Sequence, residues 1–174
     1  MTTRLICIAG AESTGKSWLA ARLAQHYGAA LVNEYARAYC AQHGNNLNAS
    51  QLRHVGEVQD MYVLGALREA RHHGARFVIA DTDALVTAVW ADIAGLRDPW
   101  FDNISGADLY LITDNDLPWI DDGVRIQRDG AARDNFRERL IGELGGRGLK
   151  WLPVGGQGDA RLAHAMVQIS AAFP

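Results

Sequence analysis

Eight consecutive residues constrain this chain more than any others. Gly10-Ala11-Glu12-Ser13-Thr14-Gly15-Lys16-Ser17 fits the spacing G-x-x-x-x-G-K-[ST] without a mismatch. Its flanks matter as much as the match. Leu5-Ile6-Cys7-Ile8-Ala9 is a continuous apolar run, the pattern of a strand buried on both faces. Past the motif, Trp18, Leu19, Ala21, Leu23 and Ala24 recur at helical spacing over 16–27. A strand, a glycine-bounded turn and a helix in that order let successive backbone N–H groups curl around an anion, and the helix N-terminus adds partial positive charge. Lys16 would then neutralise β/γ-phosphate charge, and the Ser17 hydroxyl would be a Mg²⁺ ligand. The loop from Gly10 through Ala11, Glu12, Ser13, Thr14 and Gly15 to Ser17 is therefore expected to bind ATP with Mg²⁺. The competing reading is an ordinary glycine turn, and the flanking elements count against it.

The rest of the chain alternates in the same way. Residues 30–32 read as a second strand and 35–43 as a short helix, closed by Gly44-Asn45-Asn46. Ser50 reads as the N-cap of a long helix bearing Leu52, Val55, Val58, Tyr62 and Leu67, which ends near His73-Gly74. Further strands are expected at 77–80, 109–112 and 149–153, with helices over 84–94 and from Asp159 onward. The alternation predicts an α/β fold, a three-layer sandwich around a five-stranded parallel sheet that gathers its strand ends at one edge. At 174 residues the chain is expected to form a single domain over 1–174.

Charge and cysteine usage exclude several alternatives. Seventeen Lys+Arg against 20 Asp+Glu give a formal net charge of −3, whereas a protein held to nucleic acid by phosphate contacts is usually basic. No apolar run reaches the roughly 18–20 residues that span a bilayer. Cys7 and Cys40 have neither metal-ligand nor Cys-x-x-Cys spacing. These features predict a cytoplasmic globular protein with no membrane or nucleic-acid partner. The six histidines are scattered, and surface positions are expected for them.

Two carboxylate groups sit where strands end. Asp81 follows an apolar strand directly, the position of a Mg²⁺-supporting carboxylate in phosphate-loop proteins. Asp83 either touches substrate or N-caps the next helix. Glu34 follows the second strand, with Tyr35 beside it and Arg37 three residues on, and all three are expected to bind substrate. Glu34 could take a proton from an attacking hydroxyl or bond a ribose, and Arg37 could orient the acceptor. The bland alternative is an i, i+3 surface ion pair. Between strands four and five, the polar stretch 117–134 carries Arg125, Arg128 and Arg133 and reads as a mobile lid that brings arginines to the phosphates and keeps water out. Those arginines could instead pair with Asp121, Asp122 and Asp129. Trp119 either plugs into the core or stacks on a flat ligand.

Five strings stand in order along the chain: G-A-E-S-T-G-K-S at 10–17, E-Y-A-R at 34–37, D-T-D at 81–83, P-W-I-D-D-G-V-R at 118–125 and R-D-N-F at 133–136. In that order and spacing the chain resembles the ribosylnicotinamide kinase domain of bacterial bifunctional NAD-biosynthesis proteins, over essentially its whole length. The resemblance implies a P-loop kinase fold and transfer of the ATP γ-phosphate to the ribose 5′-hydroxyl of nicotinamide riboside, giving nicotinamide mononucleotide. It implies Glu34 at the nucleoside edge, Asp81 near Mg²⁺, and Arg125 and Arg133 on the lid. The family's two-activity members carry an N-terminal adenylyltransferase domain. A chain that starts three residues before its first strand is thus expected to be a stand-alone kinase. A kinase of another nucleoside and a nucleotide-dependent switch stay as alternatives, although the base-specificity motif Asn-Lys-x-Asp of such switches does not occur.

Overall fold

A computed structural model describes residues 2–123 and 125–174. Five strands, β1 (Arg4–Ala9), β2 (Ala30–Val32), β3 (Phe77–Asp81), β4 (Leu109–Thr113) and β5 (Trp151–Val154), form one sheet in the order β2-β3-β1-β4-β5. Every pairing is parallel. Parallel strands need helical crossovers, supplied here by α1 (Lys16–Tyr27), α2 (Tyr35–His43), α3 (Ala49–His72), α4 (Ala84–Ile93) and α5 (Gly130–Gly146), while α6 (Gly158–Ala172) follows β5 and packs beside α1.

Strand side chains alternate between two cores. Leu5, Cys7 and Ala9 of β1 join Val78, Ala80, Tyr110 and Ile112 against α3, α4 and α5. Ile6 and Ile8 join Phe77, Ile79, Leu109 and Leu111 against α1 and α6. Both faces of the sheet are thus dry, which is why these strands read as unbroken apolar runs. The expected three-layer α/β architecture holds. It leaves the end of central β1 at the point where strand order reverses, the usual binding crevice of such sheets.

Local differences have physical causes. The long helix is capped by Asn48, not Ser50: the Asn48 side chain accepts from Gln51 N at 3.0 Å, and Asn48 N donates to Gln51 Oε1 at 3.0 Å. Ser50 Oγ instead bonds Asn48 Oδ1 at 2.7 Å. The buried stripe of α3 runs through Leu52, Val55, Gln59, Val63, Leu67 and Ala70, and Tyr62 is exposed. On α1, Leu19, Ala20, Leu23 and Ala24 are buried while Trp18 and Ala21 face out. Strand β5 starts at Trp151, because Leu149 N bonds back to Leu144 O at 2.9 Å behind left-handed Gly148.

The largest addition is α5. Asp129 caps it by accepting from Ala131 N at 3.0 Å, and Phe136, Leu140 and Leu144 recur every fourth residue on its buried face. Its first turn absorbs 130–134, so the polar segment between β4 and α5 ends at Asp129 rather than 134.

Candidate active site

The loop leaving β1 is forced close to β4. A Cβ added to Gly10, whose φ is +142°, would meet Thr113 Oγ1 at 2.4 Å, so only glycine lets the chain turn there. The turn is then tied from inside. Thr14 Oγ1 donates to Ala11 O at 2.8 Å, and the Thr14 and Thr113 hydroxyls lie 2.6 Å apart. Left-handed Ser13 (φ 58°) and Gly15 (φ 77°) complete a curl that delivers Lys16 to the first position of α1. Gly15, the residue before that helix, offers no capping side chain. The first amides of α1 are therefore free for an anion.

Arg161, on α6, braces this loop from behind. It is 1% exposed; one guanidinium nitrogen donates to Thr14 O, a second pairs with Asp116, and Nε donates to Gly156 O at 2.6 Å. Sequence reasoning missed it, although a signal exists. Arg161 shares the buried stripe of its helix with Ala165 and Ile169, where a charge requires a partner.

A cavity of about 570 Å³ opens from the loop. Its phosphate end is lined by Gly10, residues 12–18 and Arg125; Glu34, Arg37 and Cys40 form the middle. Its far end is apolar, walled by Leu47, Leu52, Val55, Val86, Trp90, Ile93 and Leu96. Lys16 Nζ donates to Ala11 O at 2.7 Å. Burial pushes its pKa down from the usual lysine value, opposed by the carboxylates of Glu34, Asp81 and Glu12. Burial likewise raises the Glu34 carboxyl above its ordinary range, opposed chiefly by Lys16. Lys16 and Glu34 are thus each shifted toward the neutral form by burial, with their mutual attraction opposing the shift.

Asp81, 4% exposed, sits at the end of β3 in register with Ile8, and its Oδ1 has no hydrogen-bond partner among the described residues. A buried, unanswered carboxylate oxygen near Lys16 fits a divalent cation held by Asp81, the Ser17 hydroxyl and a bound phosphate. Among the described residues no group of three or more His, Cys, Asp or Glu could hold a metal by itself.

Other expected roles do not match the geometry. Asp83 is an N-cap rather than a cavity wall: Oδ1 accepts from Leu85 N at 3.0 Å and Val86 N at 3.2 Å, while Oδ2 accepts from the Tyr110 hydroxyl. Burial raises its carboxyl pKa against those opposing bonds. Tyr35 turns away from the cavity into a ring cluster with Tyr39, His54 and Tyr62. Trp119 lies outside the cavity, with the Arg128 guanidinium 5.4 Å from its ring centroid. Arg128 is exposed and pairs with Asp121 at 3.0 Å, away from the phosphate loop. Arg133 is buried in the first turn of α5 and donates to Leu117 O at 3.1 Å. Of the three arginines expected over the phosphates, only Arg125 lines the cavity. Val124 of the P-W-I-D-D-G-V-R string lies outside the described residues. Two aromatics do line the cavity, Trp18 beside the loop and Trp90 among the apolar residues, and the sequence marks both only as parts of helices.

Comparison with known proteins bears on the family and the fold. A family model described as an AAA domain matches residues 5–161. The chain is similar to the trifunctional NAD biosynthesis/regulator protein NadR of Escherichia coli (strain K12), 27% identical over 146 residues, 79% of this chain and 35% of that protein. It thus spans about a third of that relative's length. A crystal structure of NadR protein in complex with NR superposes with a TM-score of 0.81 and 26% identity, over 98% of this chain and 52% of that one. Thymidylate kinase from Ehrlichia chaffeensis shares the fold, with a TM-score of 0.69 and 14% identity over 98% of this chain and all of that one (100%). No helix among the described residues is long and apolar enough to cross a membrane.

Proposed function

From the premise that this chain belongs to the AAA domain family, whose model spans residues 5–161, we propose that it is a small-molecule kinase. It transfers the γ-phosphate of ATP to the ribose 5′-hydroxyl of nicotinamide riboside, giving nicotinamide mononucleotide and ADP. One observation carries the reading: a single cavity of about 570 Å³ joins the phosphate loop, the Glu34 carboxylate and a set of apolar side chains that includes Trp90. The likeness to NadR, known in complex with NR, supports nicotinamide riboside as the acceptor.

In this reading the loop amides and Lys16 hold the β- and γ-phosphates. Glu34, deprotonated, accepts the proton of the acceptor hydroxyl as it attacks phosphorus. Arg37, whose Nε lies 3.6 Å from Glu34 Oε2, holds that carboxylate and adds a donor for the acceptor or its product phosphate. Arg125 neutralises charge that spreads over the transferring group. A bound Mg²⁺ would polarise the phosphates, held by Ser17 and Asp81. At the other end Trp90, a lining residue whose ring centroid lies 4.8 Å from that of Phe136, would contact a pyridinium ring, an interaction worth roughly 0.5–2 kcal/mol.

The reading is tested by incubating the protein with Mg²⁺-ATP and a panel of nucleosides, with products identified by mass. The expected result is nicotinamide mononucleotide formed with the highest kcat/KM of the panel. Faster phosphorylation of another nucleoside would reassign the acceptor. Absence of transfer to every nucleoside would overturn the kinase assignment.

A further inference from the structure

We propose that Glu12, within the phosphate loop, is a positioning residue: its carboxylate holds the backbone of 126–127 against the loop and so keeps Arg125 at the phosphate end of the cavity. The inference rests on the kinase reading for its purpose, though its structural half stands without it. It begins from a misfit. The loop is a cradle for a polyanion, and a carboxylate there repels the ligand that the loop amides and Lys16 attract. Something else must account for an acidic side chain in that position.

The contacts of Glu12 supply the reason. Its Oε2 accepts from Ile126 N at 2.9 Å and Gln127 N at 2.8 Å, and its Oε1 lies 3.2 Å from Ile126 N. Two consecutive amides, on a segment that belongs to neither helix nor strand, are thus satisfied by one charged acceptor more than a hundred residues away in sequence. Neighbouring Ser13 secures the segment's other end: its Oγ accepts from Ile120 N at 3.0 Å. Arg125 lies between the two anchors and bonds back across them, Nη1 donating to Ile120 O at 2.7 Å. Its side chain is 22% exposed, pairs with Asp122 at 3.2 Å through Nε, and belongs to a residue that lines the cavity. The two loop side chains therefore convert a separate segment into the far wall of the phosphate site. Charge-assisted bonds to backbone amides are strong enough for that task and leave the loop's own amides free for the ligand.

Hydrogen exchange and kinetics on Glu12→Ala, Glu12→Gln and Arg125→Ala, alone and combined, test the proposal. In the ligand-free protein, Glu12→Ala should speed exchange of the Ile126 and Gln127 amides by about 10- to 100-fold, the worth of hydrogen bonds to a charged acceptor, while β1 amides stay unchanged. Glu12→Gln, with one acceptor oxygen left, should fall between. Glu12→Ala should lower kcat by about 10- to 100-fold with ATP affinity unchanged or tighter, and should change kcat by less than about threefold in the Arg125→Ala background. Unchanged exchange at 126 and 127, or kinetic losses that multiply in the double variant, would overturn the proposal. If the wild-type protein transfers phosphate to no acceptor, the kinase reading fails, while the exchange measurement still decides whether Glu12 holds the segment.

Discussion

At the phosphate end of the cavity, one uninterrupted octapeptide supplies the backbone amides, the ammonium and a hydroxyl. At the proposed acceptor end, the wall is assembled from single side chains of α2, α3, α4 and the turns beside them, from Ala36 to Leu96. The first design uses backbone geometry, which side-chain replacement barely alters, so it suits a ligand part common to many proteins. The second uses side-chain shape, which can change residue by residue, so it suits the part that differs. On the kinase reading proposed above, affinity for phosphate and choice of acceptor are expected to be separable, and mutations should sort accordingly.

The sharpest way to break that division is at Lys16. Lys16→Ala should abolish turnover with every acceptor alike; activity within threefold of wild type would discredit the phosphate-loop assignment. Next in size, Glu34→Gln should cut kcat by about 10²–10⁴, the usual contribution of a general base. Wild-type kcat/KM should decline as pH drops through the Glu34 pKa, and burial puts that limb above the usual carboxylate range. The Glu34→Gln variant should lack the limb, and retention of it would assign the titration to another group. At the acceptor end, Trp90→Ala should raise the acceptor KM by roughly tenfold with kcat little changed, since stacking binds ground and transition states alike. An equal loss with ATP hydrolysis alone would erase the proposed division.

Smaller effects belong to residues outside the cavity. Arg161→Met should destabilise the fold by about 1–3 kcal/mol in urea denaturation. That is less than the roughly 3–5 of a fully buried pair, because Asp116 keeps 34% of its side chain exposed. Smallest of all, Trp119→Phe should leave kcat/KM within threefold, as its ring packs with Arg128 away from the cavity. Glu34 also links function to stability. Its carboxyl is raised in the folded state, so the native protein binds the extra proton, and stability from this group is lost as pH rises through the folded value. Melting of Glu34→Gln should therefore occur at higher temperature than wild type at pH 7, with the gap closing below the ordinary carboxylate range.

How legible a residue was depended on how local its causes are. Lys16, Ser17 and the glycines were legible because strand, turn and helix are neighbours in the chain. Asp83 carried two open readings, and the choice went to the N-cap because Tyr110, on another strand, claims its second oxygen. Helix α5 was hidden because its polar first turn continues a polar segment and its apolar residues appear only from Phe136. Arg128 and Arg133 looked equivalent to Arg125 in sequence. One instead finds Asp121 and the Trp119 ring at the surface, and the other a backbone carbonyl inside the fold.

By itself, then, the sequence determined the α/β alternation, the anion-binding turn and the acidic residues at strand ends, since hydrophobic period and glycine placement act over a few residues. Tertiary structure alone decided which arginine reaches the cavity, that Trp90 rather than Trp119 lines it, and that Arg161 bonds the loop from behind while Glu12 reaches out of it to the amides of Ile126 and Gln127. Those outcomes depend on pairs separated by many tens of residues, whose partners only the packing of helices on a finished sheet brings within hydrogen-bond reach.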